Sequence, residues 1–314
     1  MNRKDQAKPK IAITIRSFDL DGSAMQRLRE HCDVVYVNTT SGRLSEKDLG
    51  KILAGADGVI AGTEKITGPV MEQAGTLRVI SRVGVGLDSI DLEAAKQRGI
   101  VVKNTPEAPA VPVAEHTVAL IFALLKNIPL YNARMRSGDF SILPASTLQG
   151  KTVGIVGIGR IGSGVGRLLE CAGCRIRFYD PFVKPGFPAS WERAATPEEL
   201  VAGADILTIH TGPLPSGKPL IEEKLLSRAK KGIIIINTAR GSLFDEAALC
   251  AALESGRIAG AALDVFSVEP YTGGLLRFPQ VIVTPHVASN TREARLQMEE
   301  EAVSNLIEAL DVKR

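Results

Sequence analysis

The stretch Thr152-Val153-Gly154-Ile155-Val156-Gly157-Ile158-Gly159-Arg160-Ile161-Gly162 decides the fold. Its first five residues are a short apolar run of strand length. The next six read G-x-G-x-x-G and lead into a helical pattern. A strand that turns through glycines into a helix opens a dinucleotide-binding βαβ unit. Gly157 permits the tight turn, Gly159 lets the backbone approach a pyrophosphate, and Gly162 allows the helix to pack closely on the strand. Unpaired N–H groups at the helix N-terminus would then hold the phosphates. Asp180 ends the following strand, 23 residues after Gly157. A carboxylate there accepts hydrogen bonds from a ribose diol and repels a 2′-phosphate, which predicts NAD rather than NADP. Arg177, further back in that strand, shares a face with Tyr179 and does not restore a 2′-phosphate site.

Outward from this unit, short apolar runs alternate with helical patterns along most of the chain. Strands are expected at 11–15, 34–37, 58–61, 79–82 and 100–102. A second series is expected at 152–156, 175–179, 206–210, 233–237, 261–265 and 281–284. Helical stretches at 25–31 and 92–98 lie between strands, and an apolar helix is expected near 111–128, with Pro112 in its first turn. The stretch 291–310 repeats Ala294, Met298 and Ala302 at helical spacing. The fold class is therefore α/β: two doubly wound, Rossmann-like domains with parallel sheets.

Bulk properties agree. A chain of 314 residues is long enough for two cores, and a formal charge of +3 is too small to argue for nucleic acid. The basic leader, Arg3, Lys4, Lys8 and Lys10, reads as a solvated tail. No secretory signal precedes the first strand, and the 111–128 run, interrupted by Glu115, His116 and Lys126, is too short for a bilayer. A cytoplasmic protein without membrane partners is expected. Cys32 and Cys250 stand alone. The Cys171-x-x-Cys174 pair lacks the second pair a metal site needs and falls where a helix should end, so packing cysteines and no metal are expected.

Three later strands end in polar or charged residues. Asn237-Thr238-Ala239-Arg240-Gly241 follows one, Asp264 and Glu269 follow another, and Thr284-Pro285-His286 follows the third. In open α/β sheets ligands bind beyond the carboxyl ends of the strands, so these residues should converge. An Arg, a Glu and a His suit reversible hydride transfer at a carbonyl: Arg240 forks a carboxylate, His286 moves the proton, and Glu269 keeps the histidine basic. His31 reads as a helix-end residue, His116 as part of the long helix between domains, and His210 as a backbone-bonded strand end.

At this point the chain resembles the D-isomer-specific 2-hydroxyacid dehydrogenase family, most closely its phosphoglycerate dehydrogenase branch. The resemblance runs from about Asp57 to Glu301. It rests on Arg82-Val83-Gly84-Val85-Gly86-Leu87-Asp88, Asn104-Thr105-Pro106, Ala114-Glu115-His116-Thr117, the glycine motif, Asn237 to Gly241, Ala261-Ala262-Leu263-Asp264-Val265 and Thr284-Pro285-His286. It implies that Arg240, Glu269 and His286 carry catalysis. It further implies that Arg160, Ile161, Asp180, Thr211, Thr238, Ala239, Asp264 and His286 line NAD together with the three glycines, and that Arg82 and the backbone of Val83, Gly84, Val85 and Gly86 join Arg240 in binding substrate. It implies a discontinuous layout, with residues 1–102 and 287–314 forming the substrate domain and 103–286 the NAD domain. A homodimer through the NAD domain is also implied, which the apolar faces of 111–125 favour.

Departures bear on the substrate, a small 2-hydroxy or 2-keto acid. Residues 61–67 lack the arginine that some phosphoglycerate dehydrogenases place there, and the amphipathic helix at 291–310 is expected to be the last element, with no regulatory domain after it. After His210-Thr211 comes Gly212-Pro213-Leu214-Pro215, where the family usually has proline directly after the second position. Both 3-phosphoglycerate oxidation and hydroxypyruvate or glyoxylate reduction stay open, as does a non-enzymatic NAD-sensing protein of the same fold. Glu269 and Val85 set apart formate and phosphite dehydrogenases, which carry a glutamine and a lysine there.

Overall fold

The computed structural model describes residues 7–16, 18–40, 44–182, 186–214 and 216–312; Arg3, Lys4 and Pro215 lie outside them. In chain order the elements are β1 (Lys10–Ile13), α1 (Ser23–His31), β2 (Asp33–Val37), α2 (Glu46–Leu53), β3 (Gly58–Ala61), α3 (Gly68–Ala74), β4 (Val79–Arg82), α4 (Leu92–Gln97) and β5 (Val101–Asn104). Then follow α5 (Ala110–Leu125), α6 (Ile128–Arg136), β6 (Thr152–Val156), α7 (Arg160–Cys171), β7 (Arg175–Tyr179), β8 (Glu192–Arg193), α8 (Pro197–Gly203) and β9 (Ile206–Ile209). The last are α9 (Glu223–Leu226), β10 (Ile233–Asn237), α10 (Glu246–Glu254), β11 (Ile258–Leu263), β12 (Val281–Val283) and α11 (Arg292–Val312).

The chain divides into two compact units, Met1–Pro109 with Thr291–Arg314, and Ala110–Asn290. The expected boundary after residue 102 cuts through β5, which pairs with β4 from Val79↔Val101 to Arg82↔Asn104 and belongs to the first sheet.

The first unit is a five-stranded sheet in the order β2-β1-β3-β4-β5, and its strands are parallel. Strand alternation sends Ile11 and Ile13 to one face, where they meet Met25 and Leu28 of α1 and Met298, Val303 and Leu306 of α11. Ala12, Val59 and Ile80 belong to the other face, under Leu49, Leu53 and Met71. Covering both faces is why these strands read as unbroken apolar runs. Glu299 of α11 is fully buried, paired with Arg295 at 2.6 Å and accepting from Asp19 N at 3.0 Å.

The second unit carries a seven-stranded parallel sheet, β12-β11-β10-β9-β6-β7-β8. The order reverses at β6, which has β7 on one side and β9 on the other, the switch point where a crevice opens beyond the strand ends. Helix α5 buries Leu120, Ile121 and Leu125 against Val153, Ile155 and Ile236, with Pro112 in its first turn. The expected helix at 111–128 is two helices, because Asn127 adopts a left-handed φ of 52° between α5 and α6. Among the described residues no single helix is long and apolar enough to cross a membrane, and α5 with α6 is bent by 60°. Helix α7 ends at Cys171. Cys174 packs as expected, its thiol pushed up by burial and opposed by Lys151, whereas Cys171 is exposed, contrary to the packing role expected of it.

Candidate active site

Gly157 sits at φ +86°, and its N–H donates to Tyr179 O at 2.9 Å, turning the chain off β6. A Cβ there would stand 2.6 Å from His210 O, and one at Gly162 would stand 2.0 Å from Gly157 O. Both positions therefore exclude every side chain. At Gly159 no atom lies within 4 Å of where a Cβ would point. That open space is a cradle against the N-terminus of α7, whose first residues are Arg160 and Ile161. Asp180 closes it: its carboxylate accepts from Ile158 N at 2.9 Å and from Phe182 N at 2.8 Å, tying the end of β7 to the glycine loop. Arg177 turns away, pairing with Glu192 and Glu199. Open cradle, helix terminus and strand-end carboxylate together fit a dinucleotide. Thr211 stands two residues beyond the end of β9.

Arg240 leaves β10 through a turn pinned by one side chain. Asn237 Nδ2 donates to Arg240 O at 2.8 Å, and Asn237 Oδ1 accepts from Ala239 N at 2.9 Å. A Cβ at Gly241 would lie 2.0 Å from Phe266 C, so only glycine lets this turn meet the loop after β11. The guanidinium of Arg240 donates to Ala239 O at 2.7 Å. Thr238 is nearly buried and shares a 2.9 Å hydrogen bond with Thr117 of α5.

The loop after β11 supplies Glu269, and the one after β12 supplies His286. The imidazole Nδ1 of His286 lies 3.1 Å from each carboxylate oxygen of Glu269, and among the described residues Nε2 has no hydrogen-bond partner. His286 occupies the left-handed region at φ 56°. What holds it there is Asp264, fully buried, whose oxygens accept from Val287 N, Ala288 N (both 2.9 Å) and Thr284 Oγ1 (2.5 Å). The carboxylate that the family resemblance places beside the cofactor thus also anchors the histidine turn. His116 of α5 joins the cluster, 3.3 Å from Thr284 Oγ1 and 3.8 Å from Asp264.

Four features of the site leave no local signal in the sequence. The Asp264 anchor needed the packing of three loops. Arg193, whose Nη2 donates to Asp180 O at 3.0 Å, sits on the short β8. Tyr271 stacks on Phe266 in the Glu269 loop. His210 bonds the Thr208 hydroxyl at 2.9 Å rather than backbone, and burial pushes its pKa down to about 3. His31 ends α1, exposed, as expected. Arg82 to Gly86 lie in the first unit at the end of β4, where Gly84 (φ +126°) donates from N to Thr105 Oγ1 at 2.6 Å and Arg82 Nη1 donates to Val83 O.

The family model for the D-isomer specific 2-hydroxyacid dehydrogenase, NAD binding domain, matches residues 118–288. The chain belongs to that family. It is 39% identical to a D-3-phosphoglycerate dehydrogenase of Bacillus subtilis over 250 residues, covering 76% of this chain and 46% of the relative. Thus it spans about half the length of the curated relatives it matches. A solved structure from Thermus thermophilus is 35% identical over 96% of this chain and 97% of its own, with a TM-score of 0.87. An NADPH-dependent glyoxylate/hydroxypyruvate reductase of Sinorhizobium meliloti, solved with citrate, is 31% identical over 94% of this chain and 93% of its own, with a TM-score of 0.83. Both neighbours bear out the α/β reading of two parallel sheets.

Proposed function

We propose that this protein is an NAD-dependent D-2-hydroxyacid dehydrogenase, interconverting a small 2-hydroxy acid and its 2-keto acid. The observation that carries this reading is the Glu269–His286 contact beyond the ends of β11 and β12, in the same sheet as the glycine cradle and Asp180. Bound nicotinamide supplies or accepts the hydride. Arg240 forks the substrate carboxylate, as a planar guanidinium does. With Nδ1 held by Glu269, His286 Nε2 gives a proton to the carbonyl oxygen on reduction and takes it back on oxidation. The backbone of Val83, Gly84, Val85 and Gly86, with Arg82, is the proposed second hold on substrate, and Thr211, Thr238 and Ala239 the proposed rim of the nicotinamide. The curated relatives favour 3-phosphoglycerate and the Sinorhizobium neighbour hydroxypyruvate or glyoxylate. The test is absorbance at NADH on adding each keto acid; silence with all of them favours an NAD-sensing binding protein.

A cytoplasmic homodimer belongs to the same proposal. Four free cysteines suit a reducing compartment. In the second unit Phe122, Ile128, Met135, Phe140 and Ile142 stand exposed around α5, α6 and the segment after them, and large apolar side chains in water mark an interface. Light scattering at micromolar concentration reports twice the chain mass if this holds and the single mass if it does not.

A further inference from the structure

We propose that Tyr271 and Glu246 form a latch that sets the position of Glu269. Glu246 begins α10, a helix capped by Asp245 and seated in the core through Leu249 and Leu253, so its carboxylate is a fixed post. The Tyr271 hydroxyl donates to Glu246 Oε1 at 2.6 Å and accepts from Leu275 N at 3.1 Å, and Gly274 N donates to the same Glu246 oxygen at 3.2 Å. Two residues before Tyr271 in the chain lies Glu269. Above it, the Tyr271 ring stacks on Phe266, with centroids 4.0 Å apart and planes 16° apart. Phe266 in turn donates its N–H to Glu269 Oε1 at 3.2 Å, the oxygen that also faces His286 Nδ1.

The contacts therefore run from a rigid helix, through one phenol and one ring stack, to the carboxylate against the histidine. Such supports matter because a misplacement of about 1 Å costs up to roughly a hundredfold in rate. Gly273 belongs to the device: a Cβ there would stand 2.5 Å from Tyr271 Oη and 2.6 Å from Glu246 Oε1. Its φ of −83° is open to any residue, so glycine is needed for room. Burial and the Glu246 bond together push the phenol up to about 12, so the donor keeps its proton throughout any assay.

The inference rests on the proposed reaction, and its test separates the two. Glu246 is exposed, so its variants leave the core intact. Tyr271→Leu, Glu246→Ala and Gly273→Ala should each lower kcat by roughly ten- to hundredfold, with the Kd for NADH, read by fluorescence titration, and the KM for NADH unchanged. Glu246→Gln, which keeps an acceptor oxygen, should restore most of the rate lost in Glu246→Ala. Tyr271→Phe, which keeps the stack, should fall between wild type and Tyr271→Leu. Amide exchange at Phe266, read by mass spectrometry, should quicken in the three damaging variants and not in Glu246→Gln. Wild-type kcat in Tyr271→Leu and Glu246→Ala, or equal loss in Glu246→Gln and Glu246→Ala, would overturn the latch. If wild type turns over no keto acid, the proposed function fails, and the exchange at Phe266 alone decides the latch: unchanged exchange overturns it.

Discussion

Glu269 presents both carboxylate oxygens to His286 Nδ1 at 3.1 Å, while Asp264 holds the two amides that follow His286. A non-glycine residue at positive φ costs on the order of 1 kcal/mol or more and persists only where surroundings over-determine it. Here a buried carboxylate does so, and the strain falls on the residue assigned to proton transfer. Positioned acid–base groups contribute about 10²–10⁴-fold, so His286→Ala should lose that much of kcat. Glu269→Ala frees the ring to turn and should lose a large part of the same factor. NADH affinity, read by fluorescence, should stay near wild type in Glu269→Ala; a parallel loss of affinity there would place Glu269 in nucleotide binding.

Arg240→Ala removes the charged donor proposed to hold the substrate carboxylate, a loss that typically costs roughly 3–4 kcal/mol. The expected effect is a fall in kcat/KM for the keto acid by a factor on the order of a hundred or more. Arg240→Lys should be impaired too, because an ammonium cannot reproduce the planar fork. Steady-state kinetics of the two variants checks this; a lysine variant at wild-type efficiency reduces Arg240 to a diffuse charge.

Cofactor choice turns on Asp180. Wild type should prefer NADH to NADPH by well over tenfold in kcat/KM, about 1.4 kcal/mol or more. Arg193 stands on the neighbouring strand against Asp180 O, so Asp180→Ala should recover NADPH use, and adding Arg193→Ala should remove it again. Equal efficiency with both nucleotides in wild type contradicts the assignment.

His210 is held neutral, its pKa pushed down to about 3 by burial. It does not change charge in any ordinary assay buffer. The pH–rate profile of His210→Gln should keep the limbs of wild type even if its height changes. A displaced limb in that variant would show that His210 titrates during turnover.

Asp205 ties β6 to the turn before β9: it accepts from Thr152 N at 2.8 Å and pairs with Lys230 at 2.9 Å. Burial raises its carboxyl, but the Thr152 amide and the Lys230 ammonium outweigh that and hold it below the usual carboxylate range. A folded value below the unfolded one adds stability above the unfolded pKa of about 4, and that stability is lost as pH falls through the folded value. Asp205→Asn should therefore cost about 1–2 kcal/mol at neutral pH, with the gap to wild type closing in acid. Urea midpoints measured from neutral pH downward check this, and a gap independent of pH contradicts it.

Both parallel sheets were legible because two-sided burial writes each strand as an apolar run, from Ile11 and Ile13 to Ile233, Ile235 and Ile236. Strand β8 was not, since Glu192 and Arg193 form a charged, two-residue edge with no apolar run to mark it. The break between α5 and α6 hides in Asn127, whose left-handed backbone carries only a weak signature. In the site, Arg240, Glu269 and His286 stood out because each follows a strand end. Asp264 stood in the same pattern, yet its partners Thr284, Val287 and Ala288 lie 20 or more residues on. Tyr271 gave no signal of its own, because its partners Glu246 and Phe266 come from another helix and from ring stacking.

The most direct measurement is NADH absorbance after adding hydroxypyruvate, glyoxylate, pyruvate and 3-phosphohydroxypyruvate in turn, to wild type and to His286→Ala. A keto acid-dependent fall in absorbance with wild type, reduced by about 10²–10⁴-fold in the variant, is the predicted result. A fall of equal rate in both proteins, or none with any of the four acids, would contradict the assignment of His286 as the proton donor of a 2-hydroxyacid dehydrogenase.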